Sequence, residues 1–271
     1  MEIVKLNDID LSNLEKSRFQ GSTSTIYKNN DTCIKMLDKL FPEEKEIIYR
    51  KFLAMDGIKL DDVLLPKVLI LKDDKLVGYT MDNFKDSMPL LDYFGRSRHV
   101  NCKDIFTAVK KASLILRDIH SSGIICQDLT FDNILIDNSG NIKYCDIDSC
   151  CYNGYMNNFI SVLLNRFLFD YRKEDGCKLS INIDRISFLL SFCLLVYNSE
   201  LSMVYKSKYN RMLTDNVETL KNIKEYINVL NDKSKALIEV PYMDEVICDS
   251  DDYIIDREKQ LSLKQKILRK L

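Results

Sequence analysis

The N-terminal part of the chain alternates short β-prone runs with polar turns and contains one helical stretch. Apolar and β-branched residues concentrate in 19–27 and 32–37, which flank the turn-forming segment 28–31, and a second hairpin is predicted over 68–81. Between the hairpins, a proline followed by two glutamates in the first turn predicts a helix over about 41–55. We therefore expect an antiparallel sheet with one main helix.

Beyond residue 100 the pattern becomes helical. Apolar residues recur every three or four positions and form one helix face, made of Ile105, Val109, Ala112, Leu116 and Ile119. Two short strands, 134–136 and 142–144, flank a polar turn. Residues 186–197 are apolar nearly all round, which predicts a buried helix too short to span a bilayer. The predicted fold class is α+β.

Composition excludes several classes of protein. The chain has 271 residues, of which 46% are hydrophobic and 30% charged, so it has enough apolar material for a core and is not of the disordered class. Its 39 basic and 41 acidic residues leave a formal charge of −2, so no global field favours nucleic acid or anionic lipid. The chain contains only two histidines, and this small number argues against zinc sites and histidine-based triads.

The start of the chain and the cysteines indicate a cytoplasmic protein without a transmembrane segment. Residues 1–8 contain neither the basic leader nor the apolar region of a signal peptide. Nine cysteines are scattered without a C-x-x-C pair, which favours reduced thiols over a disulfide framework. Four of them lie close to the motif described next, and we expect buried small hydrophobes there rather than a redox switch or metal site: Cys126, Cys145, Cys150 and Cys151.

The most specific segment places acidic and amide side chains around a predicted loop. Asp128 and Asn133 stand five apart, between the amphipathic helix and the hairpin that starts at residue 134. Asp146 follows thirteen residues later, just after the second strand of that hairpin. One acid beside a hydroxyl nucleophile, with an amide and a second acid as hard oxygen ligands, is an arrangement suited to phosphoryl transfer with magnesium.

These residues resemble the protein kinase superfamily. Asp128-Leu-Thr-Phe-Asp-Asn133 is similar to the catalytic loop of that family, and Asp146-Ile-Asp148 lies where the family has its metal-binding Asp-Phe-Gly. Three further elements follow the family's order: 19–27 aligns with the Gly-rich loop, Cys33-Ile-Lys35 with the strand that ends in the phosphate-binding lysine, and 184–190 with the buried helix whose leading aspartate supports the catalytic loop. The resemblance covers about 19–197.

The resemblance implies a two-lobed fold that binds ATP between a small lobe, 1–82, and a helical lobe, 83–271. Lys35 would contact the α- and β-phosphates, and an acid of the following helix would hold it; Glu46 is favoured and Glu44 is the rival. Other nucleotide-binding positions are implied in the Gly-rich loop, at Gly21, Ser22, Ser24 and Ile26, and in the hinge that reads adenine, at Met81, Asp82 and Phe84.

The same resemblance implies the catalytic and metal residues. Asp128 would accept or orient the proton of the substrate hydroxyl, and Asn133 and Asp146 would bind Mg²⁺ or Mn²⁺. Asp148 would either bind a second metal or cap its loop, with the cap favoured. Asp184 is expected to be architectural.

The sequence departs from the family at several positions. The glycine loop keeps one glycine, and Cys126-Gln127 replaces His-Arg, so we expect activity that does not require phosphorylation of the activation segment. Thr130 stands where Ser/Thr kinases commonly have a lysine, and no Ala-Pro-Glu is clear between Asp148 and Asp184. These features resemble a divergent, compact bacterial kinase of eukaryotic-like type.

The function implied is transfer of the γ-phosphate of Mg-ATP to Ser/Thr hydroxyls of a protein substrate, in the cytoplasm or after delivery to another cell. Two alternatives stay open: a small-molecule phosphotransferase that modifies antibiotics or metabolites, and a pseudokinase that binds nucleotide without turnover. No nucleic-acid partner is expected.

Overall fold

The computed structural model describes residues 1–9, 11, 14–17, 23–156, 180–232 and 238–260. Its largest sheet has six strands in the order β1-β5-β6-β4-β3-β2. The β1–β5 pair is parallel and the other neighbours are antiparallel. The strands are β1 Glu2–Lys5, β2 Glu15–Lys16, β3 Thr25–Lys28, β4 Thr32–Met36, β5 Val68–Lys72 and β6 Lys75–Asp82.

One helix, α1 (Pro42–Ala54), follows β4 and packs against β6. Proline suits the first turn because its missing N–H has no partner there anyway. The side chain of Glu44 reaches back to accept from the backbone N–H of Phe41 at 2.8 Å, which gives this N–H group a partner at the start of the helix. Phe52 of α1 meets the ring of Tyr79 of β6 edge-on, with ring centroids 5.0 Å apart. The helix therefore covers the strand that lies next to β4.

Two small sheets and several helices form the remainder of the described chain. The sheet order β10-β9-β7 joins Ile142–Tyr144, Ile134–Asp137 and Ser87–Pro89, while β8 (His99–Asn101) pairs with β11 (Ile254–Asp256). The helices are α2 Leu90–Gly95, α3 Cys102–Ser121, α4 Ile181–Tyr197, α5 Lys208–Asn216, α6 Glu218–Asn222, α7 Lys224–Asn231, α8 Met243–Val246 and α9 Arg257–Gln260.

The helix α4 lies in the core of this part of the chain. Its residues are buried almost without exception, and Phe192 packs against Phe106 of α3 with ring centroids 5.8 Å apart. By length and composition Ile181–Lys206 is apolar enough to cross a membrane, but 67% of its most apolar window is buried inside the protein. That burial is typical of a core helix, so the described chain has no clear transmembrane segment.

The predicted α+β class and the main elements are confirmed. Both N-terminal hairpins, the helix after the first hairpin, the amphipathic helix α3, the β9–β10 hairpin and the buried helix α4 are all present. The first strand of the first hairpin, predicted from residue 19, begins at Thr25, and residues 18–22 lie outside the described part of the chain. The sequence did not predict β1, β7, β8 or β11, whose partners lie far away along the chain.

Candidate active site

The loop between α3 and β9 carries Asp128, and a buried carboxylate holds its backbone. Asp184, at the start of α4, has no exposed surface. Its two oxygens accept from the backbone N–H groups of Cys126, at 2.5 Å, and Gln127, at 3.0 Å. The Nε2 atom of His120 lies 3.0 Å from the same carboxylate. Asp184 therefore fixes the loop, as expected for an architectural residue.

Two further hydrogen bonds complete the loop. The hydroxyl of Ser187, one turn along α4, donates to the carbonyl of Leu129 at 2.6 Å. The side-chain amide of Asn133 donates to the carbonyl of Asp128 at 2.8 Å, so the two ends of the motif are tied together. Asp128 itself is half-buried, and burial raises the pKa of its carboxyl group. A carboxylate with a raised pKa is a stronger proton acceptor.

A buried ion cluster lies where β4 meets the segment after β10. The Nζ of Lys35 donates to Asp146 and, at 2.6 Å, to Asp148, whose Oδ1 also accepts from the hydroxyl of Tyr79 at 2.8 Å. Burial opposes the charge on Lys35, yet the two carboxylates raise its pKa well above the usual range. The ammonium is therefore charged. Asp146 adopts a left-handed backbone conformation, φ 67°, which turns the chain there.

A cleft of about 340 Å³ opens beside this cluster, a volume typical of small-molecule sites. Its walls come from the large sheet, from the 81–84 segment and from the β9–β10 hairpin. Apolar side chains make up part of the lining, namely Ile26, Cys33, Leu64, Met81, Phe84, Leu135 and Cys145. Charged and amide groups make up another part: Lys28, Lys35, Asp82, Asn83, Asp92, Asp132, Asn133 and Asp146.

Most of the expected nucleotide-binding residues share this cleft. Ile26, Lys35, Met81, Asp82, Phe84, Asn133 and Asp146 all line it. Asn83 pins the 81–84 segment, because its backbone N–H donates to the carbonyl of Asp31 at 2.9 Å. Ser24 is fully buried and does not line the cleft, whereas Gly21 and Ser22 lie outside the described residues.

The structure corrects the expected partner of Lys35. Glu46 lies on the outer face of α1 and pairs with Arg50 at 2.7 Å, and Glu44 is used at the N-terminus of the helix. Neither contacts Lys35, which bonds Asp146 and Asp148 instead. The reason is geometric: Glu46 is two residues, or about 200°, from the inward-facing Ile48, so it points away from the sheet.

Three residues that form hydrogen bonds at the site were not predicted from the sequence: Tyr79, Ser187 and Lys51. Lys51 is fully buried on α1, and its Nζ donates to the carbonyls of Asp148, at 2.7 Å, and Cys150, at 2.6 Å. A signal for Lys51 was present, because it falls three residues after Ile48 and one before Phe52, on the apolar face of the helix. Tyr79 and Ser187 carry no comparable local signal.

Two oxygen ligands in the cleft suit magnesium bound with a nucleotide. Among the described residues, no group of three or more His, Cys, Asp or Glu side chains is arranged to hold a metal by itself. Mg²⁺ typically takes one or two protein oxygens and completes its shell with substrate phosphates and water. Asp146 and the amide oxygen of Asn133 both line the cleft and match that donor set. The site therefore fits a substrate-bound magnesium rather than an all-protein cage.

The four cysteines near the site follow the expectation in part, because Cys145 and Cys151 are half-buried rather than buried. Cys126 and Cys150 are buried, and burial raises the pKa of Cys126 well above its usual range. Burial also raises the pKa values of Cys145 and Cys150 to about 12, and that of Cys151 to a lesser extent. A thiol with a raised pKa is a poor nucleophile. The activation segment expected between Asp148 and Asp184 lies largely outside the described residues, which exclude 157–179.

No protein-family model matches the chain, and no curated protein is significantly similar to it. The chemistry of the cleft therefore has to follow from its own residues.

Proposed function

We propose that the protein is an ATP-dependent protein kinase, of divergent and compact type, that transfers the γ-phosphate of Mg-ATP to Ser/Thr hydroxyls. One observation carries this proposal. A charged lysine, an amide and a carboxylate (Lys35, Asn133 and Asp146) line one partly apolar cleft. Asp128 does not line the cleft itself; it lies on the loop that ends at Asn133, whose backbone a buried carboxylate holds. That set supplies the positioning and charge neutralisation that phosphoryl transfer needs.

Each group has a definite task in this proposal. Adenine lies against the apolar part of the lining, including Ile26 and Leu135, and hydrogen-bonds the backbone of the 81–84 segment. Lys35 binds the phosphates as a cation, because the carboxylates beside it raise its pKa. Asn133 and Asp146 would hold magnesium, which would neutralise phosphate charge when bound. Asp128 accepts the proton of the attacking hydroxyl. The cleft then lies between a small lobe, 1–82, and a helical lobe, 83–271.

One feature of the cleft favours a second candidate, a small-molecule phosphotransferase. Asp82, Asp92 and Asp132 also line the cleft, and burial together with Asp92 raises the pKa of Asp132. Clustered carboxylates at a cleft suit an acceptor that carries amino groups as well as hydroxyls. The two candidates differ in the acceptor and share the nucleotide site.

Labelled γ-phosphate transfer tests both candidates. Wild-type protein and Asp128→Ala are incubated with Mg²⁺ or Mn²⁺ and ATP, either alone, with a generic protein substrate, or with a mixture of amine-bearing metabolites. We expect label on protein Ser/Thr, lost by a factor of roughly 10²–10⁴ in Asp128→Ala because the proton acceptor is gone. Binding of Mg-ATP should stay within about threefold of wild type, because Asp128 acts on the nucleophile.

The control for that assay is Asp74→Asn, an exposed turn residue whose left-handed backbone, φ 59°, also suits asparagine. It should match wild type. Label on metabolites alone would establish the second candidate. Mg-ATP binding without any transfer would reduce the protein to a nucleotide-binding pseudokinase, and near wild-type turnover by Asp128→Ala would refute the assignment of the loop.

A further inference from the structure

The buried ion cluster contains two carboxylates on Lys35, and a second lysine, Lys51, lies beside them. Lys35 pairs with the carboxylates of Asp146 and Asp148, and Lys51 bonds the backbone carbonyl of Asp148. No residue of α1 supplies the acid that the family resemblance implies. We propose that Asp148 is the positioning residue that aims Lys35 at the phosphates of the nucleotide, and that Lys51 of α1 holds Asp148 in place. This inference rests on the proposed ATP site and adds the residues that organise it.

Exposure separates the two carboxylates that share Lys35. The side chain of Asp146 is 31% exposed and lines the cleft, whereas that of Asp148 is 6% exposed and does not line it. A carboxylate that faces the cleft is free to turn to a cation delivered with the nucleotide. The buried carboxylate of Asp148 does not reach a cation in the cleft in this way. When Asp146 takes up magnesium, Asp148 is therefore the acid that stays on Lys35 and keeps its ammonium in position.

Tyr79 fixes the orientation of the Asp148 carboxylate. It lies directly opposite Lys35 in the β4–β6 register, and its hydroxyl donates to the same Oδ1 atom that accepts from Lys35. The ring is packed edge-on against Phe52 of α1, which holds the hydroxyl in place. One oxygen that accepts from two rigidly held donors is locked in a single direction. The strand that carries Lys35 and the strand beside it thus share one anchor.

Lys51 holds the backbone of the segment that carries Asp148. Its ammonium makes two hydrogen bonds to carbonyl oxygens on either side of Ser149, those of Asp148 and Cys150. A buried lysine bonded only to neutral oxygens is costly unless charge nearby compensates it. Burial lowers the pKa of Lys51, and the nearby carboxylate of Asp148 opposes that shift. Helix α1 therefore organises the site with a lysine in place of an acid.

Comparison of ATP with adenosine tests the proposal. Adenosine has the same base and sugar but no phosphate for Lys35 to bind, so it reports on the integrity of the cleft. Calorimetry would measure the Kd of Mg-ATP and of adenosine for wild type, Asp148→Asn and Lys51→Met. We expect the Kd of Mg-ATP to rise about tenfold or more in both variants, because a charge-assisted contact is lost. The Kd of adenosine should stay within about twofold. A merely structural defect would weaken both ligands together.

Two other variants keep the test decisive. Tyr79→Phe removes only the hydroxyl and keeps the ring against Phe52, so it serves where Asp148→Asn fails to fold; we expect a selective loss of about fivefold for Mg-ATP. Glu46→Gln tests the rival acid of α1 and should leave both ligands unchanged, as should Asp74→Asn. A thermal melt of each variant confirms that the fold is intact.

The possible failures are distinguishable. Unchanged ATP selectivity in Asp148→Asn and Tyr79→Phe, with wild type binding Mg-ATP normally, would overturn this inference and leave the proposed function standing. A selective loss in Glu46→Gln would also overturn it and restore the helix acid. Absence of binding of either ligand to wild type would overturn the proposed function and this inference with it.

Discussion

At the scale of single residues, Asp184 organises more of the site than any residue that lines the cleft. Its carboxylate accepts from the backbone N–H groups of Cys126 and Gln127 and contacts His120, whose other ring nitrogen lies 2.7 Å from the hydroxyl of Tyr242. The two backbone N–H groups are buried with the carboxylate, so neither can turn to water if the carboxylate is lost. Asp184 therefore contributes to stability and to the geometry of Asp128 together.

Replacement of this carboxylate should destabilise the whole protein. Asp184→Asn keeps the shape but turns one acceptor oxygen into a donor that faces other donors. We expect the free energy of unfolding, measured by urea titration, to fall by about 2–4 kcal/mol. The control is Asp215→Asn, which breaks an exposed pair with Lys224 at 3.5 Å and should change stability by less than about 1 kcal/mol. Equal stability of the two variants would contradict the anchoring function.

At the scale of elements, strand β4 has to lie close to β6 for Lys35 to reach its partners. Gly78 of β6 stands opposite Met36, and a Cβ atom there would lie 2.7 Å from the carbonyl oxygen of Lys35 and 2.8 Å from the sulfur of Met36. The carbonyl oxygen belongs to the backbone, so it cannot move away by a change of side-chain rotamer. A glycine is therefore required for the close approach of these strands, and the sheet register depends on it.

A methyl group at this position should disturb the site through the strand. We expect Gly78→Ala to lower stability by about 1–3 kcal/mol and to weaken Mg-ATP binding, since β4 must shift to relieve the clash. The matched control is Gly95→Ala at the end of α2, where a Cβ would meet nothing within 4 Å. That variant should be neutral or slightly stabilising. Urea titration and calorimetry on both variants measure the difference, and unchanged Gly78→Ala values would argue against a tight register.

Elements also show which predictions a local pattern can support. The 3.6-residue spacing from Ile105 to Ile119 predicted α3, and the polar turn before Ile142 predicted the β9–β10 hairpin, because both signals lie within a few residues. The α1 acid was predicted wrongly because it was taken from the family resemblance, whereas the helix periodicity places Glu46 about 200° from the inward-facing Ile48. The parallel β1–β5 pair and the β8–β11 pair join segments that are distant along the chain, so no local sequence pattern predicts these pairings.

At the scale of the whole molecule, ligand binding should stabilise the fold by mass action. A non-hydrolysable ATP analogue with Mg²⁺, at about one hundred times its Kd, should contribute about 2.7 kcal/mol. For a chain of this size that corresponds to a rise in Tm of roughly 5 °C. EDTA should remove much of the shift, because Asn133 and Asp146 then lose the cation. A shift that EDTA does not change would contradict the magnesium site and leave nucleotide binding in place.

The sequence by itself determined the local secondary structure of this protein and the spacing of its motif residues along the chain. Turn signals and apolar periodicity located the hairpins, α1, α3 and α4, and the spacing of Asp128, Asn133 and Asp146 selected side chains that belong to one site region. Tertiary structure alone decided who contacts whom: Lys35 with Asp148, Lys51 with the Asp148 loop, and Asp244 with Arg117 of α3. The physical reason is range. Backbone periodicity acts over a few residues, whereas the partner of a buried charge is whichever group the folded chain brings within about 3 Å of it.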